Sequence, residues 1–282
     1  MGINFTKVDY FYKFLKTKCL ALEEIDLNIE AENEFIAITG QTGSGKTTLV
    51  QHMNALLLPS KGKVQIFDTL IDASKRRKPK VSKCRKDVGL VFQFPEYQLF
   101  SETIYKDILF GPKNFKELSK KANELADKAV NLVKLDKSLL DKSPFKISGG
   151  QQRKVAIAGI LAMDPKIIVL DEPTRGLDPI AQDDIMEMFY EIHKTTKKTI
   201  ILITHDMDVA CKYANRIIVL DGSRICYDGK KEDLFLTGKY LQHHLDLPST
   251  LKIINHLNDK LHLNIKPTFD YDVLVKKLGD IK

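Results

Sequence analysis

The residues Gly40-Gln41-Thr42-Gly43-Ser44-Gly45-Lys46-Thr47 have the spacing of a loop that wraps a phosphate chain, and Thr48 continues it. The glycines let successive backbone N–H groups curl around an anion. A helix starting at the lysine would aim its positive dipole end at the same anion. Lys46 can then reach β- and γ-phosphates, and the Thr47 hydroxyl can ligate Mg²⁺. A second constellation is Ile167-Ile168-Val169-Leu170-Asp171-Glu172, an apolar run ending in two acids. Carboxylates there would stand at the C-terminal edge of a parallel sheet, where open α/β folds bind ligands. Asp171 suits a Mg²⁺ shell, and Glu172 suits a general base that polarises water. A third is Ser148-Gly149-Gly150-Gln151, ahead of a helix expected at 153–161. It reads either as a second anion site or as a plain helix start with a serine cap.

These groups need strand ends and helix starts to hold them, and the chain supplies both. Residues 1–39 read as strands, the last being Phe35–Thr39 before Gly40. Thr47–Leu58 reads as a helix stopped by Pro59, and Val64–Phe67 and Val88–Phe92 read as strands. The segment 75–86 is basic, contains Pro79 and reads as a surface loop. Residues 97–159 are helical in pattern. Apolar strand-length runs return at Ile167–Leu170, Thr199–Thr204 and Ile217–Leu220, with helical segments between. Apolar strands alternating with helices imply a largely parallel sheet covered on both faces, and the helical block interrupts it as an insertion. The tail from about 240 is rich in Leu, Ile and Lys and reads as helical.

Composition narrows the classes. The 282 residues are 43% hydrophobic and 29% charged, as in a globular chain with a substantial core. The net charge of +7 favours anionic partners, but the lysines are scattered along the whole chain rather than gathered in a stripe. Cys19, Cys84, Cys211 and Cys226 form no CxxC pair, which argues against a disulfide framework or a structural zinc. No apolar run approaches the ~20 residues of a membrane span, and no secretory signal is evident.

The three constellations together resemble the signatures of ABC ATPases, and the resemblance runs along nearly the whole chain. It implies a P-loop core with a parallel-rich sheet, an N-terminal antiparallel β subdomain, an inserted helical subdomain at about 97–160 and a small C-terminal helical extension. The cassette would occupy 1–240 and the extension 241–282. The family's remaining motifs have counterparts in order. Tyr12 matches the aromatic residue that stacks on adenine, with Tyr10 the second choice. Gln93, after Val88–Phe92, matches the glutamine that touches Mg²⁺ and water. Asp178 matches the aspartate that acts across the dimer, and His205 the histidine that contacts the γ-phosphate. The resemblance implies ATP hydrolysis with Mg²⁺, in a pair where Ser148, Gly149, Gly150 and Gln151 of one subunit close over the phosphate loop of the other.

Within that family, the stretches 89–100, 106–114 and 155–163 resemble the ATPase components of energy-coupling factor transporters, and the 11–20 insertion resembles the second of their two paralogous forms. This implies a peripheral subunit on the cytoplasmic face of the membrane, paired with a paralogous ATPase or with itself. Its further partners would be an integral membrane T component and a substrate-binding S component, importing vitamins or related micronutrients. Glu96, Tyr97 and Phe100 are candidates to line the groove for the T component. Leu251, Ile254, Leu257, Leu261 and Leu263 could pair the two ATPases or pack on their own domain. Two positions depart from the family pattern: Ile147, where Leu or Phe is usual, and Arg175, where a small residue is usual. Two other readings compete. One is the ATPase of a binding-protein-dependent importer. The other is a soluble ABC protein acting on nucleic acid or ribosomes, favoured only by the basic run 75–80; no nucleic-acid partner is expected.

Overall fold

The computed structural model describes residues 2–14, 17–76 and 79–280. Arg77 and Lys78 of the basic run, and Leu15 and Lys16 of the 11–20 insertion, lie outside them. In chain order the elements are β1 (Ile3–Phe14), β2 (Thr17–Ile29), β3 (Phe35–Thr39), α1 (Lys46–Met53), β4 (Lys61–Ile66), β5 (Thr69–Asp72), α2 (Ser82–Asp87) and β6 (Val88–Val91). The helical insertion carries α3 (Ile104–Asn114), α4 (Ala122–Leu132) and α5 (Gly149–Leu161). The core resumes with β7 (Ile167–Asp171), α6 (Pro179–Thr196), β8 (Thr199–Ile203), α7 (Met207–Tyr213), β9 (Arg216–Asp221) and β10 (Arg224–Gly229). Helices α8 (Lys231–Phe235), α9 (Ser249–Leu261) and α10 (Tyr271–Gly279) follow. Among the described residues no helix is long and apolar enough to cross a membrane.

The main sheet has the order β10-β9-β3-β8-β7-β6, parallel from β9 to β6 with β10 antiparallel at the edge. Its central strands are apolar throughout because both faces are covered. Alternation then divides each strand between two cores. Ile36, Ile38, Ile167, Val169, Ile201, Ile203, Ile218 and Leu220 face one core, beneath α1 and the antiparallel sheet β2-β1-β4-β5. Phe35, Ala37, Ile168, Leu170, Ile200, Leu202, Ile217 and Val219 face the other, which the helical insertion, α6, α7 and the C-terminal helices complete.

Three expectations need correction. The first helix covers Lys46–Met53, not Thr47–Leu58: Asn54 ends it and Ala55 turns to φ 58°, while Leu56 and Leu57 N–H fold back onto the Gln51 carbonyl. Proline at 59 is therefore not the stop. The 75–86 segment is not all loop, since α2 forms and buries Cys84 and Asp87. The helix after Ser148 starts at Gly149 rather than 153, because Ser148 and Gln151 form a reciprocal capping box. The tail folds back onto its own domain, with Leu251, Ile254, Ile265 and Leu274 buried and Leu257 and Leu263 packed beside them; Leu261 is 59% exposed.

Candidate active site

Strand order brings the chemistry together. Gly40 follows β3, His205 follows β8, Asp171 and Glu172 close β7, and Gln93 follows β6. Those four strands are consecutive neighbours, so their C-terminal ends form one edge. Residues up to 165 apart in sequence thereby share a surface.

The phosphate loop depends on backbone that only glycine supplies. Gly40 and Gly45 hold φ of 135° and 103°. A Cβ at Gly40 would stand 1.9 Å from the Leu220 carbonyl oxygen, and one at Gly45 2.3 Å from that of Ala21. The loop is thus pressed against both sheets while it turns into α1. Lys46 Nζ lies across it, donating to the carbonyl oxygens of Gly40 at 2.8 Å and Gln41 at 2.7 Å. Burial lowers the Lys46 pKa, and the nearby Glu172 and Asp171 charges oppose that shift.

Asp171 is buried, and burial raises its pKa despite the hydrogen bond from the Thr47 hydroxyl; the Glu172 charge adds to the rise. Glu172 is set differently. Burial pushes its carboxyl up, but donors from Arg175, His205 and Gln93 outweigh that and hold it below the usual carboxylate value. Gln93 Nε2 donates to its Oε2 at 2.8 Å, Arg175 Nη1 to the same oxygen at 3.0 Å, and His205 Nδ1 lies 3.4 Å from Oε1. The Glu172 backbone is left-handed, φ 47°.

Two cavities flank this carboxylate. One, of about 410 Å³, is lined by Tyr12, Thr42, Gly43, Gly45, Lys46, Thr47, Thr48, Gln93, Asp171, Glu172 and Arg175 among others. The other, of about 470 Å³, is lined by Gly40, Thr42, Lys46, Glu172, Arg175 and His205 among others. Tyr12 reaches the first cavity, with its hydroxyl 3.2 Å from Thr48 Oγ1. Tyr10 instead packs edge-on against the buried His52 ring, 4.8 Å between centroids. Ser44 is buried inside the loop. Ser148, Gly149, Gly150 and Gln151 line neither cavity, and the exposed Asp178 caps α6 by accepting from Ala181 N–H.

One functional group escaped sequence reasoning. Arg153 on α5 is 2% exposed. Its Nε and Nη2 grip both Glu96 carboxylate oxygens, at 3.0 and 2.6 Å. Its Nη1 donates to the carbonyl oxygens of Pro173, at 3.1 Å, and Arg175, at 2.9 Å. One guanidinium therefore joins the segment after Gln93, the helix after Ser148 and the loop after Glu172. The signal was present: Arg153, Ile157 and Leu161 are spaced by four, on one buried helix face. The same geometry corrects Glu96, whose carboxylate turns inward to Arg153 rather than outward to a groove.

A phosphate loop, two acids, a glutamine and a histidine along one parallel-sheet edge define a nucleotide-hydrolysing cassette, and the chain belongs to the ABC transporter family, whose model matches residues 22–175. Its relatives include members of one group of that family. It is 50% identical over 243 residues to the energy-coupling factor transporter ATP-binding protein EcfA2 of Bacillus subtilis, covering 86% of this chain and 87% of that one. It is 46% identical over 266 residues to the EcfA2 of Ligilactobacillus salivarius, covering 94% and 91%. Among solved structures it resembles cbiO1 from Clostridium perfringens, part of the ABC transporter complex cbiONQ, with TM-score 0.72, 33% identity and 92% and 95% coverage. It also resembles the dimeric post-hydrolysis state of the cassette MJ0796 bound to ADP and Pi, with TM-score 0.70, 29% identity and 81% and 98% coverage. The chain is an ATPase of the energy-coupling factor group.

Proposed function

We propose that this chain hydrolyses ATP as one of two cassettes, paired with a paralogue, that drive import of vitamins or related micronutrients through a membrane T component and an S component. One observation carries the pairing: each catalytic group from β3, β8, β7 and β6 meets at one edge, while Ser148–Gln151 line neither cavity there. A serine-capped helix start that stands outside its own subunit's nucleotide cavities suits the phosphates of a second one.

The site geometry supports the following roles. The adenine stacks on Tyr12, and the loop N–H groups with Lys46 take the β- and γ-phosphates. Glu172 accepts a proton from the attacking water, and Gln93 and His205 fix its carboxylate. Thr47, Gln93 and the buried Asp171 fit Mg²⁺. They are oxygen donors, and they are too few to enclose the ion, as expected where the nucleotide's phosphates complete the shell. Bound Mg²⁺ would offset charge building on the transferred phosphoryl group.

The surface for the T component lies between α3 and α5. A groove of about 350 Å³ is lined by Leu99, Phe100, Phe110, Phe115, Ala156 and Met163 among others. Phe100 and Phe110 meet edge to face at 4.8 Å and are 59% and 52% exposed, whereas Tyr97, 83% exposed, packs on Phe94 and does not line the groove. An apolar cleft with aromatic walls suits an amphipathic coupling helix of a membrane protein on the cytoplasmic side. Arg153 ties this region to the catalytic loop through Glu96.

Purification of the tagged chain from solubilised native membranes tests the reading. The expected companions are a paralogous ATPase, one T-type membrane protein and small S-type membrane proteins. Recovery of a permease pair with an external binding protein would refute the energy-coupling assignment, and recovery of ribosomes or nucleic acid alone would refute transport.

A further inference from the structure

Arg175 has no part in phosphate binding or water activation as described above, yet it touches the base directly. Its side chain is 57% exposed and lines both cavities that flank Glu172. Its carbonyl is pinned by the buried Arg153, so its own position is fixed from behind.

The carboxylate of Glu172 is used asymmetrically. Each oxygen offers two in-plane acceptor sites. Oε2 takes two donors, Gln93 Nε2 at 2.8 Å and Arg175 Nη1 at 3.0 Å, and so has no acceptor site left for water. Oε1 has one longer contact, to His205 at 3.4 Å. Gln93 belongs to the machinery that any bound nucleotide would meet. Arg175 adds a second, cationic grip on the same oxygen from only three residues away.

We propose that Arg175 is a positioning residue that restrains the base: its guanidinium latches Oε2 of Glu172, slows hydrolysis, and sets a low turnover in the cassette. The proposal rests on Glu172 being the base. The half-exposed ion pair bounds the effect, since such pairs are weak in water.

The test measures kcat and KM for ATP, with MgATP, in the complete assembled complex. Variants R175M, R175K and E172Q are compared with the parent, and each is melted to check folding. R175M keeps an unbranched apolar stem and removes the charge and the donors; its kcat should rise about two- to fivefold with KM little changed. R175K keeps a cationic donor and should stay near the parent. A kcat that falls or stays level in R175M overturns the latch, as does a rise in KM alone, which would make Arg175 a substrate contact. E172Q should lose turnover by a factor of ~10²–10⁴. If E172Q turns over normally, the reading of Glu172 as base fails as well, and that failure is separate from a negative result at Arg175.

Discussion

Asp171 and Glu172 are adjacent acids on one strand end, and the fold gives them opposite electrostatics. Asp171 is buried beneath α1 with the Thr47 hydroxyl as its donor, so burial dominates and its pKa rises. Glu172 turns out through a left-handed backbone into donors from three other segments, so its pKa falls. The rise at Asp171 has a stability consequence. A raised folded pKa means the folded state disfavours the charged form, so the destabilisation sets in as pH climbs past the unfolded value of ~3.9 and is complete above the folded one. At neutral pH, Asp171→Asn should therefore raise Tm in nucleotide-free protein while abolishing Mg²⁺-dependent hydrolysis. A thermal melt beside an ATPase assay checks both; a lower Tm would mean that Thr47 and Lys46 more than offset the burial.

At the scale of elements, Arg153 is the joint of the molecule. Helix α5 carries it into a pocket where Glu96 and two carbonyl oxygens take four of its five N–H donors, with the Phe94 ring 5.9 Å away. Losing one partner of such a pair leaves the other charge stranded, at a cost of about 3 kcal/mol, the low end of the range because Glu96 keeps some contact with water. Arg153→Met should lower Tm accordingly. Arg153→Lys should recover little of it, since an ammonium cannot match two carboxylate oxygens and two carbonyls at once. Full recovery by lysine in the same melt would reduce Arg153 to a point charge.

At the scale of the whole molecule, the C-terminal helices complete the second core. Asp208, three residues after His205, accepts from Ser249 N–H at 2.7 Å and from its hydroxyl at 2.6 Å. The start of α9 is thereby fixed to α7, which follows the histidine. Leu251, Ile254, Ile265 and Leu274 are buried in the same core as β3 and β8, each worth roughly 1.5–3 kcal/mol. Removal of 249–280 should therefore cut soluble yield and Tm in the isolated chain, read by a melt at fixed concentration. A truncated protein that melts with the parent would make the extension an appendage rather than part of the core.

The local chemistry was legible in the amino-acid sequence. The phosphate loop, the apolar strand ending in two acids and the serine-capped glycine pair are each encoded within about eight residues, because turn, strand end and helix start are properties of neighbouring backbone. The apolar runs also implied a sheet buried on both faces. Other features were decided only in three dimensions. The first helix ended at Asn54, well before the proline at 59, where Ala55 turned left-handed and the Leu56 and Leu57 N–H groups folded back onto the Gln51 carbonyl. The basic stretch made α2 because Cys84 and Asp87 found cover. Glu96 turned inward because Arg153, 57 residues later, was there to receive it. Arg175 met Glu172 because its side chain reached back across one turn while Arg153 held its carbonyl. A side chain's partner across the fold follows from packing against distant segments, and no local pattern of residue types specifies it.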